Sequence, residues 1–141
     1  MAADGSGLFV KGLNGRPGVH SARWAGECAS TEEIMKFTLK KMAGIPVGKR
    51  QAYMETLTVL FPPGTRHGFW DFQGILRGEV ALQPCGKIRP GMPYDPIFIP
   101  DRRDSTLAEL PVEIKNEISH RAKAFKMLKD FLENCVKHKL A

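Results

Sequence analysis

A chain of 141 residues with 43% hydrophobic and 26% charged side chains has the composition of one globular domain with its own core, which excludes disorder as a whole. Its 21 lysines and arginines outnumber 15 acidic residues, and the net charge of +6 favours an anionic partner, either nucleic acid or a small polyanion. No apolar run is long enough to span a bilayer, and no apolar stretch follows a basic head, so neither a membrane nor export is expected.

Residues 6–13 alternate apolar and other side chains and read as a strand, followed by loop material in NGRPG at 14–18. Ser30-Thr31-Glu32-Glu33 has the form of a capping box and opens a helix whose stripe, Ile34, Met35, Thr38, Leu39 and Met42, stops at Gly44 and Pro46. AYMETLTVLF at 52–61 is a strand, rich in aromatic and β-branched residues and closed by a double proline. FWDFQGILRGEVAL, 69–82, reads as two strands joined near Arg77-Gly78; 83–93 is a loop, and YDPIFIP, 94–100, a short apolar strand. The last third is helical, with Pro111 at a first helical position and Ser119 capping a further helix. Along that helix Ile118, Phe125, Leu128, Leu132 and Cys135 are predicted to form one apolar face. With no internal repeat and no linker, the class is α/β, a mixed sheet flanked by helices in a single domain over 1–141.

Cys28, Cys85 and Cys135 are odd in number, widely spaced and without a CxxC, which argues for reduced thiols in a cytoplasm and against disulfides or a zinc site. The basic excess lies partly in KKM at 40–42, GKR at 48–50 and KHK at 137–139. Without a zinc-finger or RNP-type motif it reads as dispersed surface lysine, so nucleic acid is not the expected partner. His20, His67 and His138 are scattered without metal-site spacing.

Three stretches, ADGSGLFVKGLNGRPGVHSARWAG at 3–26, YDPIFIPD at 94–101 and LAELPVEIKNEISHRAKAF at 107–125, occur in an order and spacing that resembles the inosine/xanthosine triphosphate pyrophosphatases. The resemblance covers nearly the whole chain. It implies a sheet flanked by helices around a deep cleft, a homodimer, and a reaction in which water splits a non-canonical purine nucleoside triphosphate (ITP, XTP or dITP) into monophosphate and pyrophosphate with magnesium. It also implies that this chain begins at an interior strand of the family. On that expectation the domain is N-terminally truncated, lacking the first strand and helix, a Ser/Thr-x-Asn-x-x-Lys phosphate loop and an acidic FxEN-type segment.

The same resemblance supplies the candidate site. Lys115, His120 and Arg121 match a K…SHR element that reaches the nucleotide, and their chemistry suits phosphate and a base carbonyl. The structural alternative for them is a solvated face beside a helix start. Asp95 and Tyr94 of YDPIF match positions beside base and sugar, with an Asx-type turn before Pro96 as the alternative for Asp95. Ser6 matches a position near the phosphates. Met92 stands where the family commonly has a base-stacking phenylalanine, and Pro93 replaces the glycine after it. Arg23 and Trp24 lie in a loop the family places near the cleft, where packing is the favoured role for Trp24.

The strand opening differs most. The family reads roughly ADDSGL, its second aspartate acting on metal and attacking water, and this chain reads ADGSGL with Gly5 at that position. Glycine neither ligates magnesium nor accepts a proton. Asp4 is the remaining candidate for base and metal ligand, although neighbouring strand side chains point to opposite faces. The expected function is therefore that of a non-canonical purine triphosphate pyrophosphatase homologue with impaired or absent turnover. The alternatives are a non-catalytic nucleotide-binding or dimeric assembly module, and a basic nucleic-acid-binding protein whose binding falls steeply with salt.

Overall fold

The computed structural model describes residues 2–64 and 68–140, so the histidine at position 67 lies outside the described residues. A five-stranded sheet runs in the order β2-β1-β3-β4-β5, with β1 at Ala2–Val10, β2 at Pro17–Gly18, β3 at Gln51–Leu60, β4 at Trp70–Val80 and β5 at Phe98–Pro100. All four pairings are antiparallel, so among the described residues the sheet is antiparallel where the sequence predicts a mixed one, while the α/β class stands. Helices α1, Thr31–Lys41, α2, Val112–Ile118, and α3, His120–Leu140, complete the expected α/β fold.

The helix ends follow local chemistry. Ser30 caps α1 by accepting from the Glu33 N–H at 3.1 Å while the Glu33 carboxylate accepts from the Ser30 N–H at 3.1 Å. Ser119 breaks the helical path after α2 and caps α3, its Oγ accepting from the Ala122 N–H at 3.1 Å. Pro111 is the cap residue of α2 rather than its first helical residue.

The core gathers Leu8 and Val10 of β1, Ile34, Met35 and Met42 from α1 and its end, Met54 of β3, Leu76 and Val80 of β4, and Ile97 and Phe98. Buried Arg50 closes one end of it. Its guanidinium donates to the carbonyls of Val80, Met42, Ile45 and Ala81, joining the end of α1 to β4. Those carbonyls satisfy a charge that burial would otherwise penalise.

Several sequence expectations need correction. The strand predicted from residue 6 begins at Ala2 and ends at Val10, where Lys11–Leu13 tightens into a 3₁₀ turn. The segment 69–82 holds one continuous strand, not two. Gly78 stays in the ladder, opposite Ala52 on one side and Pro100 on the other, and its missing Cβ leaves room for β5 instead of turning the chain. At 94–100 only Phe98–Pro100 is strand, because Asp95–Ile97 forms a 3₁₀ turn with Pro96 fixing its backbone.

The predicted apolar face of the last helix is buried only in part, at Leu128 and, packed against the core, Ile118. Ala124 and Leu128 are buried and Phe131 packs its ring against Trp70 and Phe72, whereas Phe125, Leu132 and Cys135 are exposed. Small Ala124 is what fits over Gly74 of β4, and a pattern weighted to large side chains passes over it.

Candidate functional site

The cleft lies where β1, the 91–95 loop and the α2–α3 corner meet. Its first wall is pinned through Ser21. The Ser21 Oγ accepts from the Leu8 N–H at 2.8 Å and donates to the Gly18 carbonyl at 2.6 Å, which ties the loop after β2 to β1. The buried Tyr94 hydroxyl donates to the Ser21 carbonyl, and burial pushes that phenol up to about 12. Tyr94 is thereby a rivet between two loops, with its ring edge on the cleft.

Asp95 follows it into the 3₁₀ turn and is itself buried. Its carboxylate takes a hydrogen-bonded ion pair from Lys115 on α2. The Lys115 Nζ also stands 3.9 Å from the Met92 sulfur. Lys115 lines the cleft with its ammonium held between one buried carboxylate and one thioether.

The capped start of α3 supplies the next pair. His120 is buried, with Nδ1 lacking a hydrogen-bond partner. Burial, and then the charges of Arg121, Lys115 and Lys123, hold this imidazole down at about 4. It is therefore neutral at physiological pH, with one ring nitrogen as donor and the other as acceptor. Close approach of α3 to the sheet depends on Gly74, since a Cβ there would lie 2.7 Å from the Ala124 nitrogen and closer still to the His120 carbonyl. Arg121 reaches across to β1, where its Nε is 3.7 Å from an Asp4 carboxylate oxygen.

Together these residues enclose a cavity of about 680 Å³. Ser6, Met92, Tyr94 and Asp95 line it from the sheet and loop side, and Lys115, His120 and Arg121 from the helix side. Asp4 is adjacent through its pair with Arg121. Ser6, whose hydroxyl shares a 2.7 Å hydrogen bond with that of Thr56, follows Asp4 on the same strand face. Gly5 takes the opposite orientation, and a Cβ there would meet no atom within 4 Å. Sequence reasoning missed Ile34 and Met54, buried side chains that also line the cavity, as well as Asn116 and Phe125. Asn116 and Phe125 had a signal available, since they sit next to Lys115 and one helical turn after Arg121.

Trp24 has the packing role, donating from Nε1 to the Thr38 hydroxyl at 3.2 Å and meeting the Phe37 ring edge-on. His20 is exposed and belongs to no cluster of metal-binding groups among the described residues. Among the described residues no group of three or more His, Cys, Asp or Glu side chains converges to hold a metal ion. Asp95 is committed to Lys115, and Asp4, the carboxylate nearest to hand, stands beside the cavity through Arg121 without lining it. One carboxylate suits a magnesium ion that arrives with phosphate oxygens around it, and does not suit a dedicated protein cage.

Basic side chains, apolar side chains and a neutral imidazole thus share one cavity in this α/β fold. The Ham1 family model matches residues 1–131, and the chain belongs to that family. It is 44% identical over 132 residues to a dITP/XTP pyrophosphatase of Thermoanaerobacter pseudethanolicus, an alignment covering 94% of this chain and 64% of that protein. The fold is similar to the Ham1 protein of Staphylococcus aureus, with TM-score 0.84 and 38% identity, and to a HAM1 protein from Coxiella burnetii, with TM-score 0.86 and 34% identity. Each of these matches covers 94% of this chain and 66% of the other. The chain thus spans slightly less than two thirds of the length of these relatives. No helix among the described residues is long and apolar enough to cross a membrane.

Proposed function

We propose that the cleft binds purine nucleoside triphosphates of the ITP, XTP and dITP class and that the chain opens them slowly to monophosphate and pyrophosphate. The observation that carries this reading is the convergence of Lys115, His120 and Arg121 on one cavity floored by apolar side chains. Family membership and the name of the Thermoanaerobacter relative support the same substrate class.

Lys115 and Arg121 supply the charge for phosphate oxygens, and Arg121 can do so through two parallel N–H groups. Each is already paired, to Asp95 and Asp4, so an incoming phosphate competes with a carboxylate for each cation. Neutral His120 suits a 6-oxopurine, whose carbonyl accepts and whose N1–H donates. A neutral imidazole nitrogen is donor or acceptor according to the tautomer, so it matches either group.

In hydrolysis, water attacks the α-phosphorus, the anhydride oxygen leaves with pyrophosphate, and the water proton must go to a base. Asp4 is the carboxylate available for it once a phosphate draws Arg121 away. Magnesium, where bound, would be shared between the triphosphate and Asp4 and would neutralise charge on the leaving oxygen. Gly5 offers no carboxylate where the sequence resemblance implies one, and loss of a positioned base lowers a rate by on the order of 10²–10⁴-fold. We place the protein in the cytoplasm, in keeping with three free and exposed cysteines, and take a symmetric dimer as its assembly.

The test measures pyrophosphate release from ITP, XTP, dITP and ATP with magnesium, beside calorimetric binding of each nucleotide. Binding that prefers the oxopurines, with slow release, is expected. Gly5→Asp introduces a side chain into open space on the strand face opposite Ser6, so it should leave the rate within about twofold of the wild-type chain, and a tenfold rise would show that position 5 reaches the cleft. Oxopurine binding with no release in either protein would leave a non-catalytic nucleotide-binding module. Failure to bind any of the nucleotides, or a preference for ATP, would sink the reading. Sedimentation at several concentrations reads the assembly, and a monomer throughout would refute the dimer.

A further inference from the structure

Phe125 is exposed to 43%, yet its ring belongs to the cleft wall. It sits one helical turn beyond Arg121 on α3, on the side of the helix that reaches toward β1, while its neighbour Ala124 is buried against the sheet. What sets Phe125 apart from the other exposed apolar side chains of α3 is that it lines the cavity, where a bound ligand would cover it. The cleft's other aromatic ring does not fill that need. Tyr94 is 6% exposed and its hydroxyl is bonded to the Ser21 carbonyl, so its ring is fixed in the wall with little face free. Met92 offers a thioether next to the Lys115 ammonium, a looser and narrower apolar surface than a ring.

We propose that Phe125 is the platform against which the purine ring packs, and that it determines how strongly the base, as distinct from the phosphates, contributes to binding. The proposal rests on the nucleotide reading above and deepens it. The arrangement is consistent along the helix. Arg121 presents charge toward the phosphates, and Phe125, about 6 Å further along the axis, presents an aromatic face of the kind every nucleobase can stack on. Because the ring is exposed and outside the sheet contact made by Ala124 and Leu128, truncating it leaves the core intact.

Calorimetry with inosine monophosphate, and separately with inorganic pyrophosphate, on the wild-type chain, Phe125→Ala and Phe125→Tyr tests this. Loss of base stacking is worth a factor of roughly 5 to 150 in affinity. The expected result is that Phe125→Ala weakens inosine monophosphate about tenfold, that pyrophosphate binding stays within about twofold, and that Phe125→Tyr retains wild-type affinity for both. Unchanged nucleotide affinity in Phe125→Ala would overturn the proposal alone. So would an equal loss of both probes, which would mark a structural role, or a tyrosine variant as weak as the alanine one. Failure of the wild-type chain to bind inosine monophosphate while it binds ITP would overturn this proposal alone, and failure to bind either would overturn the nucleotide reading with it.

Discussion

His120 is where stability and binding meet in a single side chain. Its imidazole is buried among Arg121, Lys115 and Lys123 and titrates at about 4 instead of the usual 6.5. With the folded value below the unfolded one, the unfolded chain takes up the proton first. The contribution to stability is complete above about pH 6.5 and is lost as pH falls toward about 4. The shift corresponds to on the order of 3 kcal/mol. Urea unfolding of the wild-type chain and of His120→Gln, each near neutral pH and at about pH 4, isolates the term, because other carboxylates and histidines titrate in both proteins. The wild-type chain should lose more stability on acidification by that amount, and parallel losses in the two proteins would refute the assignment. Sequence motifs made His120, Lys115 and Arg121 legible, but not their surroundings. That Asp95 and Asp4 neutralise the two cations depends on α2 meeting the 91–95 loop and α3 meeting β1, contacts between residues far apart in the chain.

Among the elements, the junction of α3 with β4 decides whether the site exists at all. Gly74 lets the first turn of α3 lie against the strand, so the backbone carrying His120 and Arg121 is positioned by a missing side chain. Gly74→Ala would drive a methyl group into backbone atoms, which cannot swing aside as a flexible side chain can. Overpacking of this kind costs about 1–3 kcal/mol or more, and relief requires α3 to move away. The variant should unfold at lower urea concentration and bind ITP at least tenfold more weakly. Wild-type stability together with wild-type affinity would show that the close approach is dispensable. The same glycines explain which elements sequence reading recovers. The capping box at Ser30 and the cap at Ser119 are local devices, complete within four residues, and both occur where expected. The continuity of β4 through Gly74 and Gly78 is not local. Each glycine answers to a partner elsewhere, α3 for Gly74 and β5 for Gly78, so the sequence alone presents Gly78 as a break and gives Gly74 no role. For the same reason Phe125 reads as core by periodicity, while the side chain the sheet accepts is alanine.

At the scale of the molecule, the cleft is built from both ends of the chain. Ser6 and Gly7 belong to β1, at the start, while His120, Arg121 and Phe125 belong to α3, at the end. A ligand in the cavity therefore holds the first strand, the 91–95 loop and the last helix together, and it should stabilise the whole fold instead of one segment. A ligand that binds only the folded state at a hundred times its dissociation constant adds about 2.7 kcal/mol, which for a chain of this length raises the melting midpoint by roughly 8 °C. ITP at such a concentration should shift one cooperative transition, seen alike by far-ultraviolet circular dichroism and by tryptophan fluorescence from Trp24 near α1 and Trp70 at the far end of β4. ATP should shift it less if the oxopurine edge is recognised, and Lys115→Ala should reduce the ITP shift if that ammonium holds phosphate. The shift should also survive moderate salt better than binding to a nucleic acid would, since few phosphates are engaged. Two transitions that respond separately to ITP would show that β1 and α3 are not coupled through the cleft, and a full-sized shift in Lys115→Ala would remove Lys115 from the phosphate site.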